Sequence, residues 1–156
     1  MNLKYLLIGI ACSFITASIG GSLTTLDQWY FSLQQPNWKP PDSFFPVIWS
    51  IIFVFIGISF GISYGKAVNT ENKRKLIFCF LFNGLLNISW SFLYFYLKRP
   101  DFALLEVIFF WGSILLLILI TRKHSIFSSL LLSPYLLWVT VATTLNYYIV
   151  IANGPF

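Results

Sequence analysis

The sequence predicts an all-α integral membrane protein, a single bundle of five transmembrane helices with a long loop between the first helix and the second. Of its 156 residues, 58% are hydrophobic and only 10% are charged, and the mean hydropathy is +0.79. A soluble domain of this length needs far more charge to cover its surface. The charges also fall almost wholly between long apolar windows, which is the pattern of membrane spans and their connections. We therefore expect residues 1–156 to form one membrane domain.

Five apolar windows are each long enough to cross the ~30 Å of hydrocarbon in a bilayer, which takes about 20 helical residues. They cover residues of about 5–26, 46–65, 76–97, 102–121 and 126–151. Hydrocarbon offers no partner to a free backbone N–H or C=O, so each window should be a helix. The connections are short except for residues 27–45, which leave space for a functional loop.

The basic residues predict the orientation of these spans. If successive spans cross the membrane in opposite directions, the amino terminus and the connections 66–75 and 122–124 lie on the same side of the membrane. That side holds seven of the ten Lys and Arg residues. By the positive-inside rule this side is cytoplasmic, so the carboxyl terminus and loop 27–45 face outward. The net charge of +5 is then a consequence of topology. We expect the lipid bilayer, and no nucleic acid, as a partner.

Conventional catalytic and metal-binding patterns are missing from the sequence. The single histidine lies in a basic connection, no span carries a pair of carboxylates, and no zinc-ligand spacing occurs. Cys12 and Cys79 both fall inside spans and predict neither a disulfide nor a metal site. "GIAC" at 9–12 resembles a lipoprotein cleavage box, but apolar residues continue to about Leu23, so we expect a retained span. The sequence predicts no metal and no required cofactor.

Small residues recur at four-residue spacing in the first two spans, where they allow helices to approach closely. They are Gly9, Ser13, Ala17 and Gly21 in the first span and Gly57, Gly61 and Gly65 in the second. We favour helix packing within one bundle, and a dimer interface is the alternative.

Aromatic and amide side chains recur at helical spacing in three spans. They are Asn83, Asn87, Trp90, Ser91 and Tyr94 in the third span, Pro134, Trp138, Ala142, Leu145 and Asn146 in the fifth, and Trp49, Phe53, Ile56 and Phe60 in the second. An asparagine in hydrocarbon is costly without a partner, so these faces should point into the bundle. They predict a cavity for a flat, largely apolar ligand, and structural core packing is the alternative. Glu106, about one turn inside the fourth span, either reaches the outer interface or caps a polar group of the pocket.

Three ordered motifs resemble the translocator protein family, also called TspO/MBR or the peripheral-type benzodiazepine receptor, in its bacterial form. They are "WYFSLQQPNWKPP" (29–41) followed by Trp49, "LNISW" (86–90) and "PYLLWVTVATTLNYY" (134–148). The resemblance implies a membrane protein of five helices, usually a homodimer, with a pocket that opens toward the first loop. It also implies binding of porphyrins such as protoporphyrin IX and haem, of synthetic isoquinoline carboxamide ligands and, in some members, of cholesterol.

The resemblance also implies which residues form the pocket, and Phe53 joins them from the aromatic stripe of the second span. The expected ligand-binding residues are Ile48, Trp49, Phe53, Asn87, Trp90, Trp138, Ala142, Leu145 and Asn146, and the expected lid residues are Trp38, Pro40 and Pro41. Two departures from the family matter. The sterol motif has Leu145 and Tyr147 but no basic residue after them, so we do not expect cholesterol binding through it. Glu106 stands where relatives often have Asp.

The leading hypothesis is a membrane receptor or sensor that binds tetrapyrroles in an intrabundle pocket under loop 27–45. The first alternative is an enzyme that promotes light- and oxygen-dependent degradation of bound porphyrin, with Trp49 and Trp138 as its catalytic groups. The second is a small transporter of porphyrins or lipophiles, although a single intramembrane acid and an odd span number argue against an active pump. In each case the porphyrin is ligand or substrate.

Overall fold

The computed structural model describes residues 2–156 of the chain. Between Asn2 and Phe156 it contains seven α-helices and one π-helical turn, and no β-strand. The elements are α1 (Leu3–Leu23), α2 (Gln28–Ser32), α3 (Phe44–Lys66), α4 (Thr70–Ser91), the π-helical turn (Phe92–Tyr96), α5 (Pro100–Arg122), α6 (Ile126–Leu131) and α7 (Ser133–Asn153).

The predicted fold class is confirmed. Within residues 2–156, five helical stretches are long and apolar enough to cross a membrane. They are α1, α3, α4 with the π-helical turn, α5, and α6 with α7. The protein is thus an all-α, multi-pass integral membrane protein whose backbone polar groups are satisfied inside the helices.

The predicted span boundaries need three corrections. The third span begins at Thr70 rather than near residue 76, because the Asn69 side chain caps it by accepting a hydrogen bond of 2.8 Å from the Asn72 N–H. The fifth span is broken at Leu132, just before the proline-containing first turn of α7. The first span ends at Leu23, so the long connection covers residues 24–43 and contains the short helix α2.

The helices pack around a core between α3, α5 and α7. Ile114 and Leu117 of α5 and Val139 of α7 are fully buried there, against Ile52 of α3. Helix α1 packs along α3 and α4, and α5 contacts α4, α6 and α7. The core is therefore at one side of the bundle, and α1 and α4 enclose the other side together with α3 and α7.

The amino-terminal part of the small-residue row of α1 packs against the row of α3 within the chain, as we favoured. A Cβ atom on Gly57 would lie 2.6 Å from the Cα of Ile10, and one on Gly61 would lie 2.7 Å from the Cα of Leu6. Only glycine permits this backbone approach, which increases dispersion contact between the two helices. These glycines therefore hold the bundle together.

The long connection 24–43 is tied to the same end of the bundle as the carboxyl terminus. The Gln34 N–H donates to Oδ1 of Asn153 at 2.7 Å, and Nδ2 of Asn153 donates to the Gln34 carbonyl oxygen at 3.2 Å. The Nζ of Lys98, in the turn before α5, lies 2.7 Å from Oδ2 of Asp27 and lowers the pKa of that carboxyl. The connection is thus fastened across the ends of α4 and α7.

Candidate functional site: an aromatic cavity inside the bundle

A cavity of about 660 Å³ lies between α1, α3, α4 and α7, beneath the connection 24–43. Its wall is mainly apolar. Phe53 and Trp138 line it near the middle of their membrane-spanning stretches, so the cavity extends from the loop end to about the middle of the bundle. Its size is within the ~300–1,000 Å³ range of small-molecule sites.

The structure brings most of the predicted site residues together in this wall. Those that line the cavity are Trp49, Phe53, Asn87, Trp90, Trp138, Ala142, Leu145 and Asn146. Ile48 is the exception among the predicted ligand-binding residues, because it packs against the hydrophobic core rather than lining the cavity. Parts of the three stripes predicted from the sequence thus line one cavity, whereas Ile56, Phe60, Asn83 and Pro134 of those stripes do not line it.

The aromatic rings of the wall hold one another in place. Trp49 lies 5.6 Å from Phe53 and Trp138 lies 5.3 Å from Phe45, both measured between ring centroids. Trp90 stacks on Tyr94 with a centroid distance of 5.0 Å. Such pairs contribute about 0.5–1.5 kcal/mol each beyond the burial of their area. The cavity wall is therefore pre-formed by aromatic contacts.

The π-helical turn at the end of α4 adds two aromatic residues to the wall. The Leu97 N–H donates to the Phe92 carbonyl oxygen at 2.9 Å, which closes the wider turn. Tyr94 and Phe95 of this turn line the cavity. π-helical turns often occur at functional sites. The position of this turn therefore supports the cavity as the candidate functional site.

Two of the predicted amide side chains, those of Asn87 and Asn146, have different surroundings. Asn87 lines the cavity opposite Gly20 of α1, where an added Cβ would lie 3.6 Å from its Oδ1. Asn146, oriented so that both of its polar atoms are satisfied, donates to the Pro100 carbonyl oxygen at 3.0 Å and accepts from the Leu104 N–H at 3.2 Å. Asn146 thus fastens α7 to the start of α5, whereas Asn87 faces the cavity.

Three further polar groups are shielded from water. Within residues 2–156, the indole N–H groups of Trp90 and Trp138 and the carboxyl oxygens of Glu106 are buried and have no hydrogen-bond partner. Both tryptophans belong to the cavity wall, whereas Glu106 does not. The carboxyl group of Glu106 therefore neither reaches the interface nor caps the pocket, which were the two expectations from the sequence.

A cluster of Tyr30, Lys39 and Asp42, here called the loop-end cluster, lines the cavity from the long connection. The Nζ of Lys39 lies 2.6 Å from Oδ1 of Asp42 and donates to the Tyr30 hydroxyl at 2.9 Å, and that hydroxyl donates to Oδ1 of Asp42 at 2.7 Å. Burial opposes ionisation of Asp42, but the bonds from Lys39 and Tyr30 outweigh it and lower its pKa. Burial and the adjacent carboxylate raise the pKa of Tyr30 far above its usual value. The cluster is thus a fixed ion pair bridged by a neutral phenol.

The predicted lid residues lie beside this cluster rather than in the wall. Trp38 is 54% exposed, and neither it nor Pro40 nor Pro41 lines the cavity. Instead the two prolines stand between Lys39 and Asp42, whose side chains turn inward and form the ion pair. Since proline fixes its own φ and restricts the preceding residue, the two prolines hold their neighbours in this geometry.

Sequence reasoning missed the wall supplied by α1 and the loop-end cluster. Helix α1 contributes Phe14, Ala17, Gly20 and Gly21. Ala17 and Gly21 belong to the small-residue row, but that row indicated a helix contact or a dimer interface and not a cavity wall. Lys39 and Asp42 are three residues apart, close enough in sequence to form an ion pair. Because a loop has no helical periodicity, the sequence could not show that their side chains point toward the cavity.

This fold and cavity define a class: small multi-pass membrane proteins with an aromatic chamber inside a helical bundle, covered by a long extramembrane connection. A sequence model of the TspO/MBR family matches residues 7–152. The chain belongs to the TspO/MBR family.

Individual relatives cover nearly the whole chain. The tryptophan-rich protein TspO of Chlorobaculum tepidum is 30% identical over 98% of this chain and 99% of its own length. The protein of the same name from Archaeoglobus fulgidus is 34% identical over 97% of this chain and 94% of its own. The tryptophan-rich sensory protein of Cereibacter sphaeroides is 26% identical over 81% of this chain and 78% of its own.

Proposed function

We propose that this protein is a membrane receptor or sensor that binds tetrapyrroles such as protoporphyrin IX and haem in the aromatic cavity under the connection 24–43. The observation that carries the proposal is the convergence of Trp49, Trp90 and Trp138, from three helices, on one chamber of about 660 Å³. A sensory role is in keeping with the name of the Cereibacter sphaeroides relative.

The chemistry of the wall suits a flat, largely apolar macrocycle. Trp49 and Trp138 offer large π surfaces for stacking, and Asn87 offers an amide for a polar edge of the ligand. Synthetic isoquinoline carboxamides have a similar flat, polar-edged shape and would occupy the same chamber. No further cofactor is needed for such binding.

We also propose that the chain acts as a homodimer in the membrane with the connection 24–43 and the carboxyl terminus facing outward. Gly9, Gly57 and Gly61 pack between α1 and α3 of one protomer, so we expect the partner to contact another surface. The alternatives of photo-oxidative porphyrin degradation at Trp49 and Trp138 and of porphyrin transport stay predictions.

Binding of protoporphyrin IX to detergent-solubilised protein, followed by fluorescence, tests the proposal. Replacing Trp49 and Trp138 together by alanine removes two stacking surfaces worth roughly 1–3 kcal/mol between them, so the affinity should fall by about fivefold or more. Trp111→Phe is the matched control, because Trp111 lies outside the cavity wall on α5. Parent-like affinity of the double variant, with its fold intact by circular dichroism, would refute the site.

A further inference from the structure

Formal charge in the cavity wall is confined to one place. Among the described residues that line the cavity, only Lys39 and Asp42 carry a charge at neutral pH, and both belong to the loop-end cluster. The middle of the bundle contributes apolar, aromatic and amide groups instead. A ligand in this chamber therefore meets an apolar environment at one end and an ion pair at the other.

The ammonium of Lys39 has hydrogen-bonding capacity left over. It carries three N–H donors, and the structure gives it Asp42 at 2.6 Å and the Tyr30 hydroxyl at 2.9 Å. The Lys39 side chain is only 13% exposed and its Nζ stands 5.0 Å from the centroid of the Tyr30 ring. The cation is thus held at the cavity rather than swinging freely in water, with one donor unused by these two partners.

We propose that Lys39 is a specificity-determining residue that binds a carboxylate of the ligand at the loop end of the cavity. The inference rests on the proposed function and adds the contact that distinguishes a flat apolar ring system with an ionised carboxyl group from one without. The ring system lies against the tryptophans, and the carboxylate accepts the third N–H of Lys39. A charge-assisted bond of this kind is roughly twice as strong as a neutral one.

Asp42 has two opposing effects in this arrangement. In the empty protein it neutralises Lys39, so that no unpaired charge is left at a partly buried position. When the ligand carboxylate arrives, Asp42 repels it and competes for the same ammonium. Tyr30 stays protonated and continues to connect the two side chains.

The test compares protoporphyrin IX, which has two carboxyl groups, with its dimethyl ester, which has none, by fluorescence titration in detergent at neutral pH. The parent protein should bind the diacid more tightly than the diester. Lys39→Met should weaken diacid binding by about tenfold, because it removes a charge-assisted bond, and should change diester binding by less than about twofold. Lys39→Arg should retain most of the preference for the diacid.

Asp42→Asn provides an independent check with the opposite sign. It removes the competing carboxylate and keeps the shape of the side chain, so the ratio of diacid to diester affinity should rise, and an unchanged or lower ratio would contradict the assignment of Lys39. Circular dichroism and gel filtration of each variant show that the bundle is intact.

Two further results would overturn the assignment of Lys39. One is a parent protein that binds the diester as tightly as the diacid. The other is an equal loss of affinity for the diacid and the diester in Lys39→Met, which would make the lysine a structural part of the loop. Failure of the proposed function gives a different result: the parent binds neither porphyrin, and the inference about Lys39 fails with it.

Discussion

At the scale of single residues, buried amides in this protein serve mainly to join helices. Asn83 of α4 donates to Oγ of Ser113 on α5 at 2.8 Å and accepts from the hydroxyl of Tyr135 on α7 at 3.1 Å. All three side chains are buried. Asn83 shares a helical face with the cavity residue Asn87, yet its amide nitrogen and oxygen are each hydrogen-bonded to another helix. A polar stripe in a membrane helix can thus divide into a part that joins helices and a part that faces a cavity.

Asn83→Leu should destabilise the protein by about 1–2 kcal/mol, since it removes the acceptor of the buried Tyr135 hydroxyl and one donor to Ser113, which still donates to the Phe110 carbonyl oxygen. Tyr135→Phe removes that tyrosine hydroxyl, so the double variant should be more stable than the sum of the two single changes predicts. Thermal unfolding of the four proteins in detergent measures the coupling. Strictly additive effects would mean that the bond between Asn83 and Tyr135 contributes nothing.

At the scale of helices, the contact between α1 and α3 determines the shape of the cavity as well as stability. The two helices meet closely at Gly9 and Gly57, toward the amino-terminal end of α1. Farther along, a Cβ added to Gly21 would meet no atom within 4 Å, and this part of α1 lines the chamber. The close contact at one end and the open space at the other together form a wedge between the helices.

Gly57→Ala should destabilise the bundle, because the new Cβ would lie 2.6 Å from the Cα of Ile10 and must force the helices apart. Overpacking of this kind costs roughly 1–3 kcal/mol. Gly112→Ala in α5 is the matched control: it has open space around it, and alanine favours the helix, so stability should be unchanged or slightly higher. Apparent melting temperatures in detergent compare the two. Equal melting temperatures would show that α1 and α3 can separate at no cost.

At the scale of the whole molecule, the bundle has two chemically different ends. The end with the amino terminus and the connection between α3 and α4 carries most of the basic residues, and it also holds the turn at Lys123. The other end carries the connection 24–43, fastened to Asn153 and Lys98. The charge asymmetry predicts that the basic end is cytoplasmic and that the cavity opens outward.

Labelling of single cysteines in intact cells tests this orientation. In a protein with Cys12 and Cys79 replaced by alanine, Thr25→Cys in the long connection should react with a membrane-impermeant maleimide. Lys123→Cys should react only after the membrane is broken, because it lies at the basic end. Labelling of both positions in a lysate is the control for accessibility, and the opposite pattern in intact cells would reverse the topology.

The class of fold was predictable because its signals are local. Twenty apolar residues in succession specify a span in any bundle, and helical periodicity placed Trp49, Phe53, Asn87, Trp90 and Trp138 on inward faces before any contact was known. The boundaries were less predictable. A capping residue such as Asn69 lets a helix begin within polar sequence. A hydropathy average over a window of residues does not detect such a helix start.

By itself, the sequence determined an all-α membrane bundle, the helices that carry aromatic faces and the connection long enough to cover a site. Only the tertiary structure decided that α1 supplies a fourth wall of the cavity and that Asn83 and Asn146 form hydrogen bonds between helices. It also decided that Lys39 and Asp42 form an ion pair beside Tyr30 at the loop end. The physical reason is that hydropathy and periodicity describe one helix at a time. Which partner satisfies a buried polar group depends on side chains brought together from distant parts of the chain.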